Sequence, residues 1–154
     1  FKMYSGKATA SPPPDSFQDI NGTAFNFPVQ KILGIGLGGF LSNITLDFEE
    51  MVSNEGLGFS MFVFSNDGYR VYLRSENGSV LKHSRENDTV SYEFLKDNGP
   101  IDLTSGDWEE MAHEKKGSKE GYKRYNCSVV LGDVLPNLSE GNYEDIIYVD
   151  LVSD

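Results

Sequence analysis

Gly141-Asn142-Tyr143-Glu144-Asp145-Ile146-Ile147-Tyr148-Val149-Asp150-Leu151-Val152, near the end of a 154-residue chain, carries the pattern on which the fold turns. In an extended backbone Ile147, Val149 and Leu151 share one face, and Ile146, Tyr148 and Val152 share the other. Apolar residues on both faces predict that Tyr143–Val152 is a central strand covered on both sides. The same period of two recurs upstream. Tyr125, Cys127, Val129 and Leu131 alternate with polar neighbours, as do Val90, Tyr92 and Phe94. Tyr69, Val71 and Leu73 alternate with Arg70, Tyr72 and Arg74, and Phe40, Ile44, Leu46 and Phe48 share even positions. The run Gly58–Phe64 is apolar on both sides, as in a doubly covered strand.

Between these runs lie Asn66-Asp67-Gly68, Asn77-Gly78 and Asp97-Asn98-Gly99-Pro100. Asn77-Gly78 is the strongest hairpin signal among them, since both central positions of such a turn need positive φ. About eight or nine short strands at turn-punctuated spacing predict an antiparallel sandwich or barrel. One helix is expected, over Asp107–Lys116, where Asp107 and Glu110 fit a capping box and Trp108, Met111 and Ala112 would share a face.

Composition narrows the function. The chain is 38% hydrophobic and 24% charged, with 24 acidic residues against 13 basic ones and a net charge of −11. Such a surface repels phosphate backbones, so nucleic acid is not an expected partner. No stretch approaches the ~18–20 apolar residues of a transmembrane helix. A single cysteine, Cys127, leaves no intrachain disulfide and no cysteine-based zinc cluster, and its place in an alternating run predicts a buried, unreactive thiol. The sequence begins at Phe1 rather than Met, as in a processed or trimmed chain.

The motifs that could carry chemistry fail on context. Gly34, Gly36 and Gly39 match the dinucleotide fingerprint, but the residues after them alternate at period two and provide no helix N-terminus for a pyrophosphate. A bend or bulge between strands is the better reading. The two histidines, His83 and His113, lie among charged residues and read as solvated, with no nucleophile elbow nearby. Glu49-Glu50 and Glu109-Glu110 carry no spacing that identifies a glycosidase. No metal-binding loop or His-x-x-x-His pair occurs, so no catalytic residue, cofactor or metal is expected. Of the sequons at Asn21, Asn43, Asn77, Asn87, Asn126 and Asn137, most read as turn residues. Lys115, Lys116, Lys119, Lys123 and Arg124 against Glu120 form the one basic run. It reads either as a solvated loop guarding a strand edge or as a contact for the acidic surface of a neighbouring copy.

The first residues stand apart. Tyr4, Gly6, Ala8 and Ala10 alternate with Met3, Ser5, Lys7 and Thr9, and Ser11-Pro12-Pro13-Pro14 then forms a stiff break that cannot donate ladder hydrogen bonds. Residues 1–14 are therefore an arm and linker, and residues 15–154 a β-domain. The arm is either a frayed terminus or a strand that pairs outside its own domain.

The final segment, with Gly141, Tyr143 and Asp145 ahead of Ile147, Val149 and Leu151, resembles the last strand of bacterial chaperone–usher pilus subunits. Gly68–Leu73, Ser75–Ser79 and Leu81–His83 resemble the spore-coat-U-like and capsule-fibre-like branches. The resemblance implies an incomplete immunoglobulin-like antiparallel β-sandwich that lacks one strand, completed by a donor strand from a neighbouring subunit. It implies a donor face of Tyr4, Gly6, Ala8 and Ala10, with the register Phe1, Met3, Ser5 left open. The acceptor groove would be formed by Phe27 and Val29 on one side and Ile147, Val149 and Leu151 on the other. The implied partners are identical or related pilin subunits in a head-to-tail polymer, with a periplasmic chaperone and an outer-membrane usher during assembly. The implied place is the cell surface, reached by secretion through the periplasm, and the role a non-enzymatic fibre subunit supporting attachment or biofilm. The alternative is a secreted β-sandwich carbohydrate-binding module or lectin that uses Trp108 and exposed tyrosines as sugar platforms.

Overall fold

The structure, a computed structural model, describes residues 32–38, 45–48, 52–117 and 121–154. Its ten strands are, in chain order, β1 (Leu33–Leu37), β2 (Gly56–Ser65), β3 (Tyr69–Ser75), β4 (Val80–His83), β5 (Thr89–Lys96), β6 (Gly99–Ile101), β7 (Glu109–Glu114), β8 (Lys123–Leu131), β9 (Tyr143–Glu144) and β10 (Ile147–Ser153). No helix occurs among the described residues. The larger sheet runs β1-β2-β8-β5-β4-β9, with β6 also on β5, and the smaller runs β10-β3-β7. Every pairing is antiparallel. The architecture is all-β, two curled sheets face to face, consistent with an immunoglobulin-like sandwich.

The alternating runs make the core. Met61 and Val63 of β2, Val90 and Phe94 of β5, and Tyr125, Cys127 and Leu131 of β8 point inward from the larger sheet, against Tyr69, Val71 and Leu73 of the smaller. Phe59 meets Phe94 edge-on with ring centres 6.2 Å apart. On the outer face of β2, Phe62 and Phe64 are half covered by the ring of Tyr122, at 5.9 and 6.1 Å.

Several expectations from the sequence are corrected. Asp107–Lys116 holds no helix, and β7 occupies its centre. A bulge between Val71 and Tyr72 shifts the register so that the consecutive Met111 and Ala112 both turn inward. That local doubling imitates the spacing of a helical face. A two-turn helix is also marginal by itself, whereas the edge of β3 offers a full ladder. Tyr143–Val152 is not one central strand. It divides at Asp145-Ile146 into β9, on the larger sheet, and β10, at the edge of the smaller, with Ile146, Tyr148 and Val152 exposed. The apolar residues at even positions are on the outer surface and cover no second layer.

Asn77-Gly78 is not a hairpin either, since it carries the chain from β3 in one sheet to β4 in the other. Gly78 takes φ +71°, and a Cβ there would lie 2.7 Å from the Thr104 carbonyl oxygen, so the crossing needs glycine. The two-residue hairpin lies instead between β5 and β6, where Asp97 and Asn98 take φ 48° and 67°. Gly34 and Gly36 form no bend or bulge. They lie in the regular register of β1, opposite Phe64 and Phe62, and leave Leu33, Ile35 and Leu37 on the inner face. Thr45–Phe48, the end of the expected strand Phe40–Phe48, forms no strand among the described residues, and residues 40–44 lie outside them.

Candidate functional site: an open seam between the sheets

β1 ends the larger sheet and β10 ends the smaller one, on the same flank of the sandwich. Among the described residues neither strand has a partner on its outer edge. Between them opens a groove of about 940 Å³. Ile35 and Leu37 of β1 form one wall, Ile147 and Val149 of β10 the other, and Met61, Leu73 and Phe94 lie in the floor. Leu46 and Phe48 also reach it. The seam is thus apolar inside and rimmed by rows of backbone N–H and C=O groups, the combination that an added strand satisfies.

The turn Gly141–Ile146 aims β10 at this seam, and each residue of the Gly-x-Tyr-x-Asp motif has a physical task. A Cβ on Gly141 would overlap the imidazole Nε2 of His83, so only glycine passes. The Tyr143 hydroxyl donates to the Ser139 carbonyl at 2.9 Å, and its ring meets His83 edge-on at 5.0 Å. Asp145 stands where the chain changes sheets. Its Oδ2 accepts from Ser75 Oγ and from the Tyr92 hydroxyl, each at 2.5 Å. Its Oδ1 accepts the backbone N–H groups of Asn77 at 2.9 Å and Ile146 at 2.8 Å. One carboxylate therefore ties β3, β5 and the start of β10 together. Burial, with the hydrogen bond to Asp145 second, pushes the Tyr92 hydroxyl pKa well above its ordinary value.

His83 is not solvated. It is 9% exposed, its Nδ1 accepts the N–H groups of Arg85 and Glu86 at 3.2 and 2.7 Å, and its Nε2 donates to the Glu140 carbonyl at 3.1 Å. Those partners hold the Nε2–H tautomer as a loop clamp, which a chain reading cannot show because they lie in two separate turns. His113 pairs with Asp154 at 3.0 Å. Cys127 is buried, and desolvation lifts its thiol pKa to about 12, matching the inert thiol expected. Trp108 is 45% exposed, and the Arg74 guanidinium lies between its ring and that of Tyr148, at 5.1 and 4.9 Å. The proposed sugar platform therefore already has a cation on one face of each ring.

Of the residues expected at the site, Ile147 and Val149 line the groove, and Leu151 continues their row, half-buried against the core. Phe27, Val29 and the arm residues Tyr4, Gly6, Ala8 and Ala10 lie outside the described residues. The β1 wall was missed from sequence. The alternation of Leu33, Ile35 and Leu37 with Gly34 and Gly36 is its signal, hidden by the resemblance of those glycines to a nucleotide fingerprint.

No protein-family model matches the sequence, and no curated protein does. Among solved structures, the chain is similar to a chain of the CsuC–CsuE chaperone–tip adhesion subunit pre-assembly complex from the archaic chaperone–usher Csu pili of Acinetobacter baumannii, with a TM-score of 0.50 and 16% identity. The match covers 79% of this chain and 40% of that one, so this chain spans less than half the length of its structural neighbour. At that identity the likeness establishes the fold, one shared with a chain of a chaperone–usher pilus complex.

Proposed function

We propose that this chain is a non-enzymatic structural subunit of an extracellular pilus, polymerising head to tail by donor-strand complementation. The observation that carries it is the open seam, two edge strands on one flank with an apolar groove between them; the sequence adds an alternating segment set off by Pro12–Pro14. The arm fits in length. Tyr4–Ala10 is seven residues, as is β10, and seven residues in a strand span ~23 Å. Inserted along β10, Tyr4, Gly6, Ala8 and Ala10 would face the floor and walls of the groove while the arm's backbone pairs with the open edge. The triple proline would hold the arm off its own domain. A head-to-tail contact between two different residue sets yields a filament when its rotation does not close. During assembly a periplasmic chaperone would cover the same seam, and an outer-membrane usher would replace it with the next arm.

Electron microscopy of the purified chain tests this. The full chain should form fibres, and a chain beginning at Asp15 should form none. Ala8→Arg should abolish polymers by burying an unpaired guanidinium. If Met3→Arg abolishes them while Ala8→Arg does not, the alternative register holds. Fibres from the chain beginning at Asp15 that match those of the full chain would end the donor-strand reading.

A further inference from the structure

We propose that successive copies of this chain also meet through opposite charge, the basic end of one sandwich against the acidic end of the next. This rests on the fibre reading above and adds a contact outside the groove.

The basic end is where β1 begins and where β2, β7 and β10 finish. The Ile32 N–H donates to Asn66 Oδ1 at 2.9 Å, and the Asp154 N–H donates to the Gly68 carbonyl at 3.1 Å, so these segments share one end. Lys115 and Lys116 are exposed there and make no ion pair among the described residues. Arg124 donates to Ser60 Oγ at 3.1 Å and lies over the Phe62 ring. The acids of this end are engaged locally. Glu114 pairs with Lys123 at 3.3 Å, Asp154 with Arg70 at 3.1 Å and with His113, and Asp67 Oδ1 accepts the Gly68 N–H.

The opposite end gathers the turns before β4, β9 and β10. The Glu76 N–H donates to the Ile146 carbonyl at 2.8 Å, and the Ser84 N–H to the Asn142 carbonyl at 2.9 Å. Glu76, Glu86, Asp133, Glu140 and Glu144 are exposed at that end and make no ion pair among the described residues, against Arg74, Lys82 and Arg85 as opposing charges there, with Arg74 held against the Tyr148 and Trp108 rings.

Within one copy the two ends cannot neutralise each other. The ten residues of β2 separate them by ~33 Å, several times the ~8 Å screening length at physiological salt. Across a contact between copies they fall within that length. The described chain enters β1 at the basic end, while Gly141–Ile147 line the groove at the acidic end.

The test compares polymerisation of the full chain by light scattering at about 50 and about 500 mM NaCl. Lys115→Glu/Lys116→Glu and Glu140→Lys/Glu144→Lys should each slow growth about tenfold at low salt, with the difference shrinking at high salt. Mixed in equal amounts, the two variants should regain the wild-type rate. Lys115→Gln/Lys116→Gln, which adds no repulsion, should fall between wild type and the charge reversal. If all variants grow at the wild-type rate irrespective of salt, the charged contact is overturned and the donor-strand reading stands. A wild-type chain that polymerises at neither salt overturns both.

Discussion

β3 and β10 are neighbours in one three-stranded sheet, in continuous register from Ser75 opposite Ile147 to Tyr69 opposite Ser153. Both alternate, and both send aliphatic residues inward. Yet Val71 and Leu73 of β3 are 0% exposed, whereas Ile147, Val149 and Leu151 of β10 stay only half-buried. The residues do not differ in kind; their neighbours do. β3 has β7 on its far edge, and β10 has no strand there among the described residues. Alternation in a sequence reports which side chains turn inward, but the extent of burial depends on how many strands flank them. A half-buried row beside a fully buried one marks an edge with no flanking strand among the described residues.

The largest test of that contrast is truncation on both strands. Leu73→Ala should cost about 2–5 kcal/mol of unfolding free energy, because a filled site becomes a cavity. Val149→Ala should cost less than about 1 kcal/mol in the monomer, since its methyl groups are only half withdrawn from water. Denaturant melts of the two variants settle the order. Equal costs would mean that β10 is already covered and the contrast is false.

Asp145→Asn comes next, at about 1.5–3 kcal/mol, because a charged acceptor shared by Ser75, Tyr92 and two backbone amides is lost. Its second effect separates the strands. Amides of β10 should exchange faster while those of β2 and β8 do not, because Asp145 anchors only the crossing into β10.

How much of this was legible in the sequence varies along the chain for physical reasons. Period two in Tyr69–Arg74, Val90–Phe94 and Tyr125–Leu131 identified inward rows, because each of those strands lies in a covered sheet. It failed where tertiary contacts decide. The bulge opposite β3 made β7 look helical, and the outward Ile146, Tyr148 and Val152 made an edge strand look central. Sheet crossings were invisible, since Asn77-Gly78 has the same turn chemistry whether it joins paired strands or separate sheets. At the site, Ile147 and Val149 were readable from their row. Ile35 and Leu37 were readable only once the intervening glycines were recognised as strand residues. The His83 clamp depends on loops that approach only after folding.

A smaller effect concerns acid. Asp88 is held below the usual carboxylate range by hydrogen bonds from Ser139, and Asp154 by the hydrogen bond from Arg70 and then that from His113. A carboxyl held low in the fold binds its proton more readily once unfolded. The stability it lends is complete above the ordinary carboxylate range and is lost as pH falls through that range toward the lowered values. Urea melts stepped from about pH 5 to about pH 2 should show this loss, and Asp88→Asn with Asp154→Asn should flatten it. Because Asp154 bonds across the ends of β3, β7 and β10, the flattening should be accompanied by fraying of the last residues of β10.

The smallest effect is at Cys127, buried on the inner face of β8. With its thiol pKa near 12 and its side chain buried, it should label with a thiol reagent only at the rate of unfolding, in monomer and polymer alike. Rapid native labelling would show that the core beneath β8 opens in the native state.

The most direct measurement is hydrogen exchange along β10 in monomer and in polymer. Antiparallel pairing with β3 engages one alternate set of β10 amides and leaves the other set facing the groove. The account predicts that the groove-facing set between Ile147 and Ser153 exchanges quickly in the monomer and becomes strongly protected in the polymer, while the set bonded to β3 changes little. Identical exchange of the groove-facing set in both states would contradict it, because no strand would then have entered the seam.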